Sequence, residues 1–154
     1  ADNFGKEDST KNLLFYGDTG LGKTFLSNCI ANKLINSCHS VIYLTAIELF
    51  DTYSQSTFNK DSDQNEVVQE ITDCDLLIID DLGTETMNSM KFTELYKIIN
   101  TRLLNQNNKI TKTIISTNLD LKGLFNTYDE RLVSRFIGHY NIFKFFGDDI
   151  RFKK

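Results

Sequence analysis

Between Leu13 and Asn28 the chain reads LLFYGDTGLGKTFLSN: a short apolar run, a loop punctuated by glycine, and the opening of a helix. Leu13, Leu14, Phe15 and Tyr16, closed off by Gly17, have the length and apolarity of a buried strand. Gly17, Gly20 and Gly22 permit the tight backbone that gathers N–H groups around an anion. From Phe25 onward Leu26, Cys29, Ile30, Lys33 and Leu34 recur at three- and four-residue steps, the spacing of one helix face. The N-terminus of that helix directs partial positive charge at the loop, where phosphate is favoured. The spacing from Gly17 to Gly22-Lys23-Thr24 fits G-x-x-x-x-G-K-[ST]. In that pattern the lysine reaches the β- and γ-phosphates of a nucleoside triphosphate, and the Thr24 hydroxyl ligates Mg2+. The candidate cradle is therefore Gly17, Asp18, Thr19, Gly20, Leu21, Gly22, Lys23, Thr24 and Phe25. A strand before the motif and a helix after it separate it from a glycine-rich turn with an exposed lysine.

Outward from this stretch, strand and helix patterns alternate. Residues 41–44 are a second apolar run, and 46–53 read as a short helix. Residues 54–63 are polar and read as a mobile loop, and 64–71 as a helix. Leu76-Leu77-Ile78-Ile79 is an apolar strand ending in Asp80-Asp81. A long amphipathic helix is expected over 90–104, a strand over 113–116, a helix over 129–136 and a last strand over 140–145. Alternation with continuous apolar strands predicts an α/β fold whose parallel sheet is covered on both faces.

Three further places carry chemistry. The stretch DLLIIDDLG delivers two acids to the C-terminal end of a strand, where open α/β sheets bind ligands. Asp80 there can hold Mg2+ through water, complementing Thr24, and Asp81 can orient or deprotonate an attacking water. The alternative is a strand followed by a solvated turn. In KTIISTN, Asn118 at another strand end is a candidate γ-phosphate sensor, weighed equally against an Asx-turn. In DERLVSRF, Arg131 and Arg135 lie four apart on one helix face, a mildly unfavourable pair unless they meet an anion. Either they serve a phosphate, with Arg135 as an arginine finger, or Asp129 and Glu130 neutralise them on a solvated helix.

Composition excludes several classes. A length of 154 residues suits one domain, and 40% hydrophobic with 25% charged residues is ordinary for a globular protein. No apolar stretch approaches the ~20 residues that span a bilayer, so no membrane role is expected. Three cysteines, Cys29, Cys38 and Cys74, have no metal-binding spacing and are odd in number, which argues for a reducing, cytoplasmic setting. Cys29, on the apolar face of the first helix pattern, reads as a packing residue. Net charge is −4, but residues 61–90 hold nine acids and no base, whereas 91–154 hold twelve bases against six acids. A nucleic-acid-binding patch in the second half is compatible with this; a basic domain overall is not.

The motifs FYGDTGLGKT, LLIIDDLGTE, IISTN, ERLVSRF and GDDIR, in this order and spacing, resemble an AAA+ ATPase. More narrowly they resemble the DnaC/DnaI-type bacterial helicase loaders and the IstB-type transposition helpers. The resemblance covers nearly all of residues 11–151. It implies a three-layer α/β/α sandwich with a five-stranded parallel sheet ordered 5-1-4-3-2 and no separate lid domain. It implies ATP and Mg2+ as cofactors, Asn118 as sensor and Arg135 as a finger acting on a neighbouring copy. It also implies homo-oligomers on nucleotide or partner binding, with the isolated domain a monomer, single-stranded DNA within the assembly, and a replicative helicase as partner. With about a dozen residues before the first strand, the helicase-gripping N-terminal region is expected to be missing, leaving residues 1–154 as one AAA+ domain. Two features depart from the family pattern: Asp81 stands where most AAA+ proteins have Glu, implying slow turnover, and Asp18 where proline is frequent. A small-molecule kinase is a weaker reading, because residues 82–110 contain only Arg102 where an arginine-rich lid is needed. A non-hydrolytic nucleotide-dependent adaptor also remains open.

Overall fold

Leu76, Leu77, Ile78 and Ile79 are each at most 1% exposed, and they mark the centre of the molecule. Four consecutive apolar side chains can be buried together only in a strand covered on both faces. The computed structural model describes residues 11–58, 62–86, 88–106 and 109–152. Its elements are β1 (Asn12–Tyr16), α1 (Lys23–Ile35), β2 (Val41–Thr45), α2 (Ala46–Phe58), α3 (Ser62–Asp73) and β3 (Leu76–Leu82). There follow α4 (Ser89–Asn105), β4 (Lys112–Thr117), α5 (Leu121–Thr127), α6 (Glu130–His139), β5 (Tyr140–Lys144) and a 3-10 turn at Ile150–Phe152. The five strands form one sheet in the order β2-β3-β4-β1-β5, and every described pairing is parallel. Read from the other edge this is the expected 5-1-4-3-2.

Alternation along β3 divides the core in two. Leu77 and Ile79 join the larger cluster with Leu49 and Phe50 of α2, Leu95, Ile98 and Ile99 of α4, and Leu132, Val133 and Phe136 of α6. Leu76 and Ile78 point the other way and meet Phe15, Ile114, and Ala31 and Leu34 of α1. Helices on both faces of the sheet make the three-layer sandwich. Among the described residues no helix is long and apolar enough to cross a membrane.

Three sequence expectations need correction. The mobile loop expected over 54–63 is largely helical: α2 runs on to Phe58 and α3 begins at Ser62, with 59–61 outside the described residues. Glycine and proline are absent there, and polar residues do not by themselves oppose a helix. Cys29 is exposed rather than packed. The buried side of α1 is Lys23, Ser27, Ala31 and Leu34, whereas Phe25 is 72% exposed. The small Ser27 and Ala31 share this side with Leu34, so the expected apolar face holds at Leu34 but not at Leu26 and Cys29, which are exposed. Finally, α5 has no counterpart in the sequence reading; Asp120 caps it by accepting from the Gly123 N–H.

Arg102 of α4 is only 1% exposed. Its guanidinium donates to the Ile71 carbonyl at 2.8 Å, the Lys112 carbonyl at 2.7 Å, the Thr113 hydroxyl at 3.0 Å and the Cys74 sulfur at 3.3 Å. Burial pushes its pKa down and that of the Cys74 thiol up. This side chain ties α4 to the end of α3 and the start of β4, and so holds in register the strand that ends at Asn118. Arg102→Met removes all four of these donations from a buried position. It is expected to cost about 2–4 kcal/mol, read as a lower denaturant midpoint; an unchanged midpoint would show that the clamp contributes nothing.

Candidate nucleotide site

The loop after β1 is shaped by the chain that returns to cover it. Gly17 has φ 142° and Gly20 φ 79°. A side chain at Gly17 would run into the Phe145 carbonyl, and one at Gly20 into the Asp149 carboxylate. The Ile150 N–H donates to the Gly20 carbonyl at 3.0 Å, pinning the C-terminal segment onto the loop. The loop then enters α1 at Lys23, whose ammonium is turned back across it. Lys23 Nζ donates to the Gly17 carbonyl at 2.6 Å, the Asp18 carbonyl at 2.8 Å and Asn118 Oδ1 at 2.8 Å. Desolvation pulls the lysine pKa down, opposed by the negative charges of Asp81, Asp80 and Asp18.

Beside the ammonium lies a cavity of about 290 Å³ lined by residues 19–25, Asp81, Asn118, Ile150 and Arg151. Residues 19–25 of the expected cradle are therefore brought together with Asp81 and Asn118, whereas Gly17 and Asp18 do not line the cavity and meet Lys23 through their carbonyls. Asp80 is 4% exposed and sits just behind them. Its Oδ2 accepts from the Tyr43 phenol at 2.5 Å, and its Oδ1 accepts from the Ser116 hydroxyl. Burial and the hydrogen bond to Asp80 push the Tyr43 pKa up, which keeps the phenol a donor.

Two adjacent acids would point to opposite faces of a regular strand. Here β3 is irregular between Ile79 and Leu82, and Asp81 takes a left-handed φ of 55°. The Asp81 N–H is tied to the Ser116 hydroxyl at 3.0 Å and to Asp80 Oδ1 at 3.2 Å. This bulge lets both carboxylates act on Lys23. Burial, then the charge of Asp80, raises the Asp81 pKa, with Lys23 opposing.

Glu85 is occupied elsewhere. It accepts from the Gly83 N–H at 2.9 Å and the Tyr128 phenol at 2.5 Å, joining the loop after β3 to the start of α6. On α6, Arg131 is 69% exposed, pairs with Asp129 at 3.0 Å, and lies over the Phe92 and Tyr96 rings. Arg135 approaches the Tyr96 hydroxyl at 3.5 Å, and its Nε is buried without a partner. Asp129 and the aromatic faces thus relieve the like-charge pair. Neither arginine lines the cavity beside Lys23.

Sequence reasoning gave no role to Tyr43, Ser116, Ile150 and Arg151. The last two were in view in GDDIR, but only the fold brings them over the loop. Arg151 is held there by Asp149 at 2.6 Å. Tyr43 and Ser116 look like ordinary strand residues until the sheet order puts β2 and β4 on either side of β3.

The chain matches the family model of the bacterial DnaA ATPase domain over residues 1–142. It is 36% identical over 124 residues to the chromosomal replication initiator protein DnaA of Wolinella succinogenes, covering 80% of this chain and 27% of that protein. It is 29% identical over 137 residues to the replicative helicase loader DnaC of Buchnera aphidicola subsp. Baizongia pistaciae, covering 88% of this chain and 53% of that one. The structure of AMPPCP-bound DnaA from Aquifex aeolicus superimposes with a TM-score of 0.80 at 26% identity, over 99% of this chain and 46% of that one. The chain thus spans about half, or less, of the curated relatives it matches.

The raised Asp81 pKa has a stability consequence. A carboxylate whose folded pKa exceeds its unfolded value costs stability once ionised, so the cost appears as pH rises and vanishes below the unfolded value of about 3.9. Asp81→Asn removes that cost and tolerates the left-handed backbone. It is expected to raise the melting temperature at pH 7 by about 2–4 °C, the gain shrinking on acidification. A variant less stable than the wild type at pH 7 would contradict the assignment.

Proposed function

The chain belongs to the bacterial DnaA ATPase-domain family, and from that premise we propose that it is a single AAA+ domain that binds and hydrolyses ATP to load a replicative helicase at the start of DNA replication. The observation that carries the nucleotide reading is the Lys23 ammonium, held at the mouth of a glycine-shaped loop by two backbone carbonyls and Asn118. A buried cation beside a cavity lined by loop backbone suits a polyphosphate, whose oxygens replace carbonyl acceptors with full negative charge. The donor set also suits Mg2+: an exposed hydroxyl at Thr24 and a buried carboxylate at Asp80 are hard oxygen ligands. When bound there, Mg2+ supplies positive charge at the β- and γ-phosphates.

The protein's own groups do the rest. Lys23 draws charge from the β- and γ-oxygens, and Asn118 holds the lysine while its amide N–H donates to the γ-phosphate. Asp81 accepts a hydrogen bond from the attacking water and turns a lone pair toward phosphorus. The water oxygen bonds to the γ-phosphorus as the bond to the bridging oxygen breaks, releasing ADP and phosphate. Asp81 is suited to this by burial, which raises its basicity. Its side chain is one methylene shorter than Glu, so turnover by the isolated domain is slow. Arg135 lies outside its own chain's cavity and serves the γ-phosphate of a neighbouring copy. This reading includes homo-oligomers on nucleotide binding, single-stranded DNA held in the assembly and a cytoplasmic setting.

A second reading, the core of a replication initiator, is favoured by the DnaA family match and by the 36% identity to the Wolinella protein. Both readings use the same nucleotide site; they differ in the partner, which lies beyond the portion of the relatives that this chain matches.

Lys23→Ala removes the charged partner of the phosphates. Charge-assisted bonds of this kind are worth about 1.5–3 kcal/mol, so ATP affinity measured by calorimetry should fall by at least about tenfold and hydrolysis should be lost. Unchanged affinity would remove the nucleotide reading.

A further inference from the structure

Tyr43 lies outside the phosphate motif, yet its hydroxyl donates to Asp80, a side chain that would hold a cation, at Oδ2 and 2.5 Å. Its ring belongs to the apolar layer between the sheet and α1, where a phenylalanine would pack as well. The hydroxyl therefore needs an explanation of its own.

The chemistry of Asp80 supplies it. A carboxylate that holds a cation through water must be fixed in rotation. Asp80 is fixed at Oδ2 by Tyr43, and at Oδ1 by Ser116 and the Asp81 N–H at 3.2 Å. Partners of this kind behind metal-holding groups typically govern affinity by about 10–100-fold.

We propose that Tyr43 is a positioning residue for the divalent cation that accompanies the nucleotide, orienting Asp80 through the hydrogen bond from its phenol to Asp80 Oδ2. This rests on the nucleotide reading above. Tyr43 supplies no ligand of its own; it sets the rotation of one carboxylate. Its loss should weaken the cation and leave the contacts of Lys23 and the loop with the phosphates intact.

The test compares wild type with Tyr43→Phe, which keeps the ring. Mn2+ is titrated into the ADP-loaded protein and followed by the electron paramagnetic resonance signal of the free ion. ADP affinity in EDTA is measured in parallel by calorimetry. The expected result is Mn2+ affinity lower by about tenfold or more, with ADP affinity in EDTA within about twofold of wild type. Tyr43→Leu gives the same readout should the phenylalanine protein not be recovered folded. Mn2+ affinity that is unchanged, or that rises, overturns the proposal. So does a parallel fall of ADP affinity in EDTA, which would make the phenol part of the phosphate pocket. Wild-type protein that fails to bind ADP overturns the nucleotide reading and this proposal with it, whereas metal-dependent binding equal in both proteins overturns this proposal alone.

Discussion

The rest of the site is arranged around one buried positive charge. The Lys23 ammonium is 5% exposed as a residue and held by the Gly17 and Asp18 carbonyls and by Asn118. Desolvating an ammonium is costly unless its protons are matched by acceptors. Those acceptors come from the end of β1 and the end of β4, and the nearby negative charge comes from the end of β3. The glycine conformations of the loop, the close approach of α1 to the sheet and the Asp81 bulge all serve that enclosure. A charge so enclosed is ready for a stronger acceptor, and a polyphosphate is one.

Sheet order makes this enclosure possible. In the order β2-β3-β4-β1-β5, β3, which carries Asp80, lies beside β4, which leads into Asn118, and β4 lies beside β1, which leads into Gly17. Parallel pairing places all their carboxyl ends at one edge, as in other open α/β sheets. The outer strands then add what lies beside the site: β2 contributes Tyr43, and the chain beyond β5 folds back so that Asp149 and Ile150 meet the loop. The Glu85–Tyr128 hydrogen bond links the Asp81 loop to the helix that carries Arg131 and Arg135. The site and that helix thus share a connection that does not pass through the sheet.

Much of this was legible in the sequence, and the exceptions have physical causes. The strand–loop–helix of residues 13–28 is local: apolar run, glycine spacing and lysine follow each other along the chain, so the loop, Asp80 and the family resemblance could all be read directly. The sheet order came through that resemblance, because strand adjacency is not written in local periodicity. The 54–63 stretch misled because polarity was taken for disorder, although no glycine or proline interrupts it. The inner side of α1 misleads because the polar Lys23 and Ser27 share it with Ala31 and Leu34, while Leu26 and Cys29 are exposed. Tyr43 and Ser116 are invisible in the sequence because their partners are distant along the chain: Tyr43 and Asp80 are 37 residues apart.

The central claim is that the loop recognises a phosphate chain through Lys23 and its own backbone. Calorimetric titration with ATP, ADP, AMP and adenosine in the presence of Mg2+ measures this directly. ATP and ADP should bind with comparable affinity. AMP and adenosine, lacking the β-phosphate that Lys23 meets, should bind weaker by at least about tenfold, the ratio corresponding to one charge-assisted hydrogen bond. AMP or adenosine binding as tightly as ADP would contradict the account.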